Sequence, residues 1–263
     1  MNQIKINNTD CLSGLKNVQD MSIDLVITSP PYENLREYNG YIFNYDYFKE
    51  VANELLRCLK VGAVIIWVVA DKTSNGSESG ESFRQALYFK EIGFKIWDTM
   101  IFAKYNPAPK NHRRYEQEFE YMFVFAKGKP KCFNPIMIPC KFSGQKRTGT
   151  YRQDKKGQLK KLNTTGKVKS MKVKGNIWYY VVGKHCTENL LAHKHQAIFP
   201  DKLAEDHIIT WSNEGDLVLD PFMGSGTVGR VCKNMKRLFI GFEISKDYCE
   251  SAQQMISAIS LTN

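Results

Sequence analysis

Asp216-Leu217-Val218-Leu219-Asp220-Pro221-Phe222-Met223-Gly224-Ser225-Gly226-Thr227-Val228-Gly229 is an apolar β-type run, an acid, a proline and a glycine turn that opens a helical pattern. Strand, glycine turn and helix in that order make the ligand-binding corner of a parallel α/β sheet. The spacing Gly224-x-Gly226-x-x-Gly229 lets backbone pass close to a ligand. Glu243 closes the next apolar run, where an acid accepts both hydroxyls of a ribose. So far any cofactor built on adenosine would fit, a nicotinamide dinucleotide included.

Working outward from that corner, residues 201–211, 227–235 and 245–259 read as helices, and 216–219 and 238–242 as strands. Towards the N-terminus, residues 4–6 and 23–27 read as strands. Residues 46–59 form an amphipathic helix, with Phe48, Val51, Leu55, Leu56 and Leu59 at helical spacing and Gly62 as its stop. Residues 63–69 are a continuous valine- and isoleucine-rich run, as a strand covered on both faces would be. Residues 74–80 are a polar turn, 82–92 a helix stopped by Gly93, and 94–103 and 119–125 strands. Alternation of strand and helix predicts a mostly parallel, doubly wound sheet.

The strand at 23–27 runs into Thr28-Ser29-Pro30-Pro31-Tyr32. This string and the glycine corner together resemble the catalytic and cofactor signatures of the DNA methyltransferases that modify exocyclic amino groups. The order, catalytic before cofactor, resembles the circularly permuted β group of that family, and the likeness spans nearly the whole chain. It implies a Rossmann-like methyltransferase sheet of about seven strands. It also implies S-adenosyl-L-methionine as cofactor. Against a nicotinamide stand the stiffened Asp220-Pro221-Phe222 entry and the Ser-Pro-Pro string, which a dehydrogenase does not need. The roughly 35 residues after the last glycine are also too few for a second mononucleotide half.

By the same resemblance, Asp220, Pro221, Phe222, Gly224, Ser225, Gly226 and Thr227 would hold the methionine moiety and Glu243 the ribose. Thr9-Asp10-Cys11-Leu12 matches the family segment where Asp10 faces the adenine amino group, although an aspartate there equally suits a helix cap. His195-Gln196-Ala197-Ile198-Phe199-Pro200 matches a segment lining the pocket, with Phe199 as an apolar wall; Asp201 would cap the next helix in either reading.

An exocyclic amine is a poor nucleophile because its lone pair is delocalised into the ring. Ser29 Oγ and the carbonyl of Pro30 can accept hydrogen bonds from its two protons and turn the lone pair towards an incoming methyl group. The Pro30-Pro31 pair has no N–H to compete and fixes φ. Tyr32 offers a face for a base flipped from the duplex. In the family, serine at the first position is mostly associated with N4 of cytosine and aspartate with N6 of adenine, so cytosine is the favoured target and adenine the alternative. Lys104-Tyr105-Asn106-Pro107, with Arg113, Arg114 and Glu120, resembles the border of the target-base pocket; Asn106 would bond the base and the arginines phosphates. A rival from another class is a DNA-binding module whose cofactor pocket has decayed, which the intact glycine turn, Glu243 and the Ser-Pro-Pro string argue against.

The formal net charge is +10 over 263 residues, and the excess lies between 127 and 174, where Asp154 is the only acid. Lys146, Arg147, Arg152, Lys155, Lys156, Lys160 and Lys161 are the candidate phosphate contacts there. Residues 127–175 show little periodicity and are expected to be a basic target-recognition insertion, weakly ordered alone. It divides one domain into a catalytic half, 1–126, and a cofactor half, 176–263. Gly175-Asn176-Ile177-Trp178 resembles the strand returning from it, with Trp178 in the core. Seven scattered cysteines without a C-x-x-C pair imply free thiols in the cytoplasm. No apolar run approaches the ~20 residues of a membrane span, and no signal-peptide pattern opens the chain. Pro139-Cys140 resembles a C5-cytosine nucleophile but sits in the insertion, and His185, Cys186, His193 and His195 have no zinc-site spacing, so no metal is expected. Expected partners are double-stranded DNA, a second copy of the chain, and a restriction endonuclease acting on the same site.

Overall fold

The computed structural model describes residues 4–31, 43–107, 109, 113–147, 149–162, 166–187 and 199–258. The first half runs β1 (Ile4–Asn8), α1 (Cys11–Lys16), β2 (Ile23–Thr28), α2 (Tyr45–Cys58), β3 (Leu59–Val69), the short hairpin β4 (Thr73–Ser74) and β5 (Ser77–Glu78), α3 (Glu81–Glu91), β6 (Lys95–Lys104) and β7 (Phe119–Ala126). Next come β8 (Met137–Pro139), β9 (Thr150–Gln153), β10 (Leu159–Leu162), β11 (Met171–Val173) and β12 (Ile177–Tyr180). The chain finishes with α4 (Asp201–Trp211), β13 (Leu217–Asp220), α5 (Thr227–Asn234), β14 (Leu238–Glu243) and α6 (Lys246–Ser257).

Eight strands form one sheet in the order β1-β14-β13-β2-β3-β7-β6-β12, parallel except for β7. About seven were expected; the eighth is β12, the return strand, which adds in parallel to β6. Helices α1, α2 and α3 pack as one layer and α4, α5 and α6 as another. β3 is buried along nearly its whole length, which is why it reads as an unbroken apolar run and not as an alternation. Trp67, Phe48, Phe89 and Phe125 are fully buried on the α2–α3 side, each worth roughly 1.5–3 kcal/mol of burial. The buried Trp67 indole donates to Gln85 Oε1 at 2.8 Å.

Gly62 was expected to stop α2. The helix instead ends at Cys58 and β3 begins at once. Gly62, at φ 87°, sits inside a bulge that shifts the β2–β3 register. A Cβ there would meet Lys131 at 3.0 Å. The bulge brings Lys60 to the buried Asp24 at 2.8 Å, joined by Lys131 and by the Leu217 amide at 3.0 Å.

Two compact units are resolved, Met1–Asn134 with Asn176–Asn263, and Pro135–Gly175. Residues 127–134 thus belong to the first. Lys127 Nζ donates to the carbonyls of Leu56 and Leu59 at 2.6 and 2.8 Å. With Lys131 on Asp24, two lysines of the basic stretch are braces of the sheet and not candidates for phosphate. The second unit, expected to be weakly ordered, holds two antiparallel pairs, β8 with β11 and β9 with β10. Ladder hydrogen bonds supply the order that apolar periodicity did not signal.

Candidate active site

Parallel strands put all their carboxyl ends on one edge. There the chain turns away in opposite directions on either side of the β2–β13 boundary, β2 leading towards β3 and β13 towards β14. Such a reversal opens a crevice at the strand ends and is where ligands bind in open α/β sheets. The Ser-Pro-Pro string follows β2 and the glycine turn follows β13, so the two signatures flank this crevice.

They are tied directly. Thr28 Oγ1 donates to Asp220 Oδ1 at 2.6 Å, and both residues are buried. Asp220 also accepts from the Phe222 amide at 3.1 Å. Burial pushes its carboxyl up to about 7 against the pull of those two bonds. Sequence reading gave Thr28 no role; nothing in the string signals a partner 192 residues away. Ser29 and Pro31 are half-buried and Pro30 is buried. Tyr32 lies outside the described residues.

The glycines of the turn serve the fold first. Gly224 and Gly226 have φ 53° and 83°, and a Cβ on Gly226 would lie 2.7 Å from that of Ala252 in α6. Gly229 is pressed against Phe239 of β14, at 2.6 Å from a hypothetical Cβ, as a close helix–strand contact requires. Glu243 ends β14 and accepts from the Gly224 amide at 2.9 Å and the Ser245 amide at 2.8 Å. Ser225 and Thr227 are buried and Phe222 half-buried.

On β1's side, Asp10 caps α1 by accepting from the Ser13 amide at 3.0 Å, the helix-cap alternative. Its Oδ1 also takes the Tyr47 hydroxyl at 3.2 Å, and that hydroxyl lies 3.3 Å from Cys11 Sγ. Burial drives the Cys11 thiol up to about 12, keeping it neutral. Tyr47 was missed because it lies off the apolar stripe of its helix. Phe43 joins the corner edge-on to both Tyr47 and Phe222, at 5.8 and 5.4 Å. Asp10, Asp220 and Glu243 therefore close three neighbouring strands with carboxylates. That set of acceptors suits the hydroxyls and positive charge of a sulfonium nucleoside and opposes a pyrophosphate.

Asn106 and Asp201 make contacts other than those expected. Asn106 presents both ends of its amide to Val182, donating to the carbonyl at 3.0 Å and accepting from the amide at 2.9 Å. It locks the exit of β12 where a bond to a base was expected. Asp201 does not cap α4; Pro200 holds that position and Asp201 pairs with Arg230. Phe199 is half-buried and Pro200 buried, whereas residues 188–198, including His193, His195 and the start of the matched segment, are outside the described residues. Trp178 is buried and stacks on His207 at 4.9 Å. Arg113 and Arg114 are exposed, Arg114 donating to the Gly76 carbonyl. Lys146, Arg147, Arg152, Lys155, Lys156, Lys160 and Lys161 are all exposed in the second unit. Among the described residues there is no grouping that could hold a metal and no helix long and apolar enough to cross a membrane.

Comparison with known proteins follows the same lines. A family model described as DNA methylase (N6_N4_Mtase) matches residues 23–254. The orphan methyltransferase M.BamHII of Bacillus amyloliquefaciens is 48% identical over 245 residues, covering 92% of this chain and 91% of the relative. The structure of the PvuII DNA methyltransferase (cytosine-N4-specific) superposes with a TM-score of 0.70 at 21% identity, covering 99% of this chain and 90% of the other. An M1.HpyAVI–SAM complex gives 0.61 at 24% identity, covering 96% and 99%.

Proposed function

The chain belongs to the N6_N4_Mtase family of DNA methylases, and on that premise we propose that it is a β-group enzyme. It methylates the exocyclic amine of a flipped base in duplex DNA, N4 of cytosine, with S-adenosyl-L-methionine as donor. The observation that carries this reading is the Thr28–Asp220 hydrogen bond, which joins the amine-accepting string to the glycine corner across the crevice. The bound cofactor supplies a methyl group on a sulfonium. Ser29 Oγ and the Pro30 carbonyl accept hydrogen bonds from the two amine protons and turn the nitrogen lone pair towards it. Tyr32 stacks on the flipped base. Asp10 takes the adenine amino group, Glu243 the ribose hydroxyls, and Phe199 walls the adenine. The gain in rate comes mostly from alignment of nitrogen, methyl carbon and sulfur.

Ser29 is the support for cytosine over adenine; the family itself covers both amines. Plasmid DNA incubated with the enzyme and S-adenosylmethionine, then digested for nucleoside mass spectrometry, is expected to contain N4-methylcytosine. N6-methyladenine would overturn the choice of base, and no methylated nucleoside would overturn the activity. Ser29→Ala is expected to lower turnover with cofactor affinity unchanged.

A homodimer and a role in restriction–modification, protecting sites from a cognate endonuclease, complete the proposal. The relative named orphan favours a second reading of that role, a methyltransferase without a nuclease. Resistance of host DNA to restriction enzymes of known site would identify the protected sequence.

A further inference from the structure

Among its described side chains, the β9–β10 hairpin is exposed on both faces. Tyr151 and Leu159 are 62% and 66% exposed, and Arg152, Gln153, Lys160 and Lys161 are exposed as well. A two-stranded ribbon alone is marginal in water, and this one carries five cations against one carboxylate between 150 and 162. Arg152 and Lys160 face each other directly across the ladder, as do Tyr151 with Lys161 and Gln153 with Leu159. Like charges directly opposite destabilise a pair; Lys160 is paired with Asp154 at 3.3 Å. The tip is nevertheless ordered in advance. Asp154 accepts from the amides of Lys156 and Gln158 at 2.8 and 3.1 Å, and those backbone bonds hold its carboxyl below the ordinary range.

Alternation along a strand sorts these side chains into two faces. One carries Arg152 and Lys160, with positions 150 and 162 at its far end. The other carries Tyr151, Gln153, Leu159 and Lys161. A major groove about 12 Å wide admits a two-stranded ribbon, and four residues at ~3.4 Å each span ~14 Å of it. An amide is the side chain that pairs bidentately with adenine N6 and N7, and an apolar group is what contacts a thymine methyl. Gln153 and Leu159 are cross-strand partners and so stand side by side.

We propose that this mixed face reads base edges in the major groove of the substrate duplex, with Gln153 and Leu159 together specifying an A·T pair in the recognition sequence. Arg152, Lys160 and the turn lysines Lys155 and Lys156 hold the flanking phosphates. The inference rests on the reading of the protein as a DNA methyltransferase.

The test is methylation of a randomised duplex library by wild type and by single variants, followed by sequencing of the methylated molecules. Wild type is expected to demand an A·T pair at one position. Gln153→Ala should lose that preference by roughly tenfold or more, and Leu159→Ala should relax the same position alone. Gln153→Glu should move the preference there towards cytosine, whose amino group donates to a carboxylate; a shift of this kind cannot arise from misfolding. Arg152→Ala should weaken all sequences alike. The inference is overturned if the Gln153 variants keep the wild-type preference at every position, or if Arg152→Ala is the change that alters it. A wild type that methylates no sequence would refute the enzymatic reading itself.

Discussion

Thr28 and Asp220 show how one hydrogen bond can decide a site. The bond is short, buried and shared between the ends of two adjacent strands, so the position of Ser29 relative to the glycine turn depends on it. Thr28→Val keeps the shape and removes the donor. It is expected to lower kcat roughly tenfold to a hundredfold through misalignment, with little change in the dissociation constants of cofactor and DNA. Thr28→Ser should restore most of the loss, which a defect of packing alone would not allow. Asp220 adds a pH signature. Burial pushes its folded carboxyl up to about 7, above the value of an unfolded aspartate. The folded state therefore binds the proton more tightly, and this contribution to stability is present below about pH 4 and lost as pH rises to about 7. Asp220→Asn, which can still accept from Thr28, should flatten the melting temperature across that window relative to wild type.

At the level of elements, the lysine-rich stretch divides into parts with different work. Lys127 and Lys131 brace the opposite end of the sheet from the site, where Asp24 lies 3% exposed. Burial would raise the Asp24 carboxyl, but its bonds from Lys131, Lys60 and Leu217 outweigh burial and hold it low. Such a group stabilises the fold above the unfolded pKa and loses that contribution as pH falls through the folded one. Asp24→Asn is expected to cost about 2–3 kcal/mol in chemical denaturation, without touching DNA affinity. The β9–β10 hairpin should behave the other way. Neutralising Lys155, Lys156, Lys160 and Lys161 together should leave the melting temperature near wild type. The log–log salt slope of DNA binding should become shallower, by about 0.9 per lost phosphate contact. An unchanged slope would make these lysines an ordinary solvated surface.

For the whole molecule, the sheet ends at β12, whose outer edge is unpaired among the described residues. Along it Trp178 and Tyr180 point into the core, whereas Ile177 and Tyr179 are both 53% exposed, and Tyr105 stacks obliquely on Tyr179 at 5.3 Å. An exposed apolar edge strand is a liability unless something covers it, and the second copy in the proposed homodimer would be that cover. Light scattering is expected to give twice the chain mass, and Tyr179→Lys with Ile177→Lys the mass of one chain.

Read alone, the sequence already contained the doubly wound sheet, the places of its main strands along the chain and the two strings at the crevice; the order of the strands in the sheet came from the structure. These are local signals: apolar runs, glycine spacing and proline pairs act through neighbouring residues and survive without tertiary contacts. Tertiary structure decided the rest. Asn106 closes on Val182 across 76 residues and Thr28 on Asp220 across 192, and no periodicity encodes a side-chain hydrogen bond between distant strands. The insertion's strands went unread because exposed ribbons carry no apolar alternation. Lysines that look alike in sequence became brace or surface only when the register of β2 against β3 placed Asp24 within reach of two of them, because a buried carboxylate needs paired charge and a free surface does not.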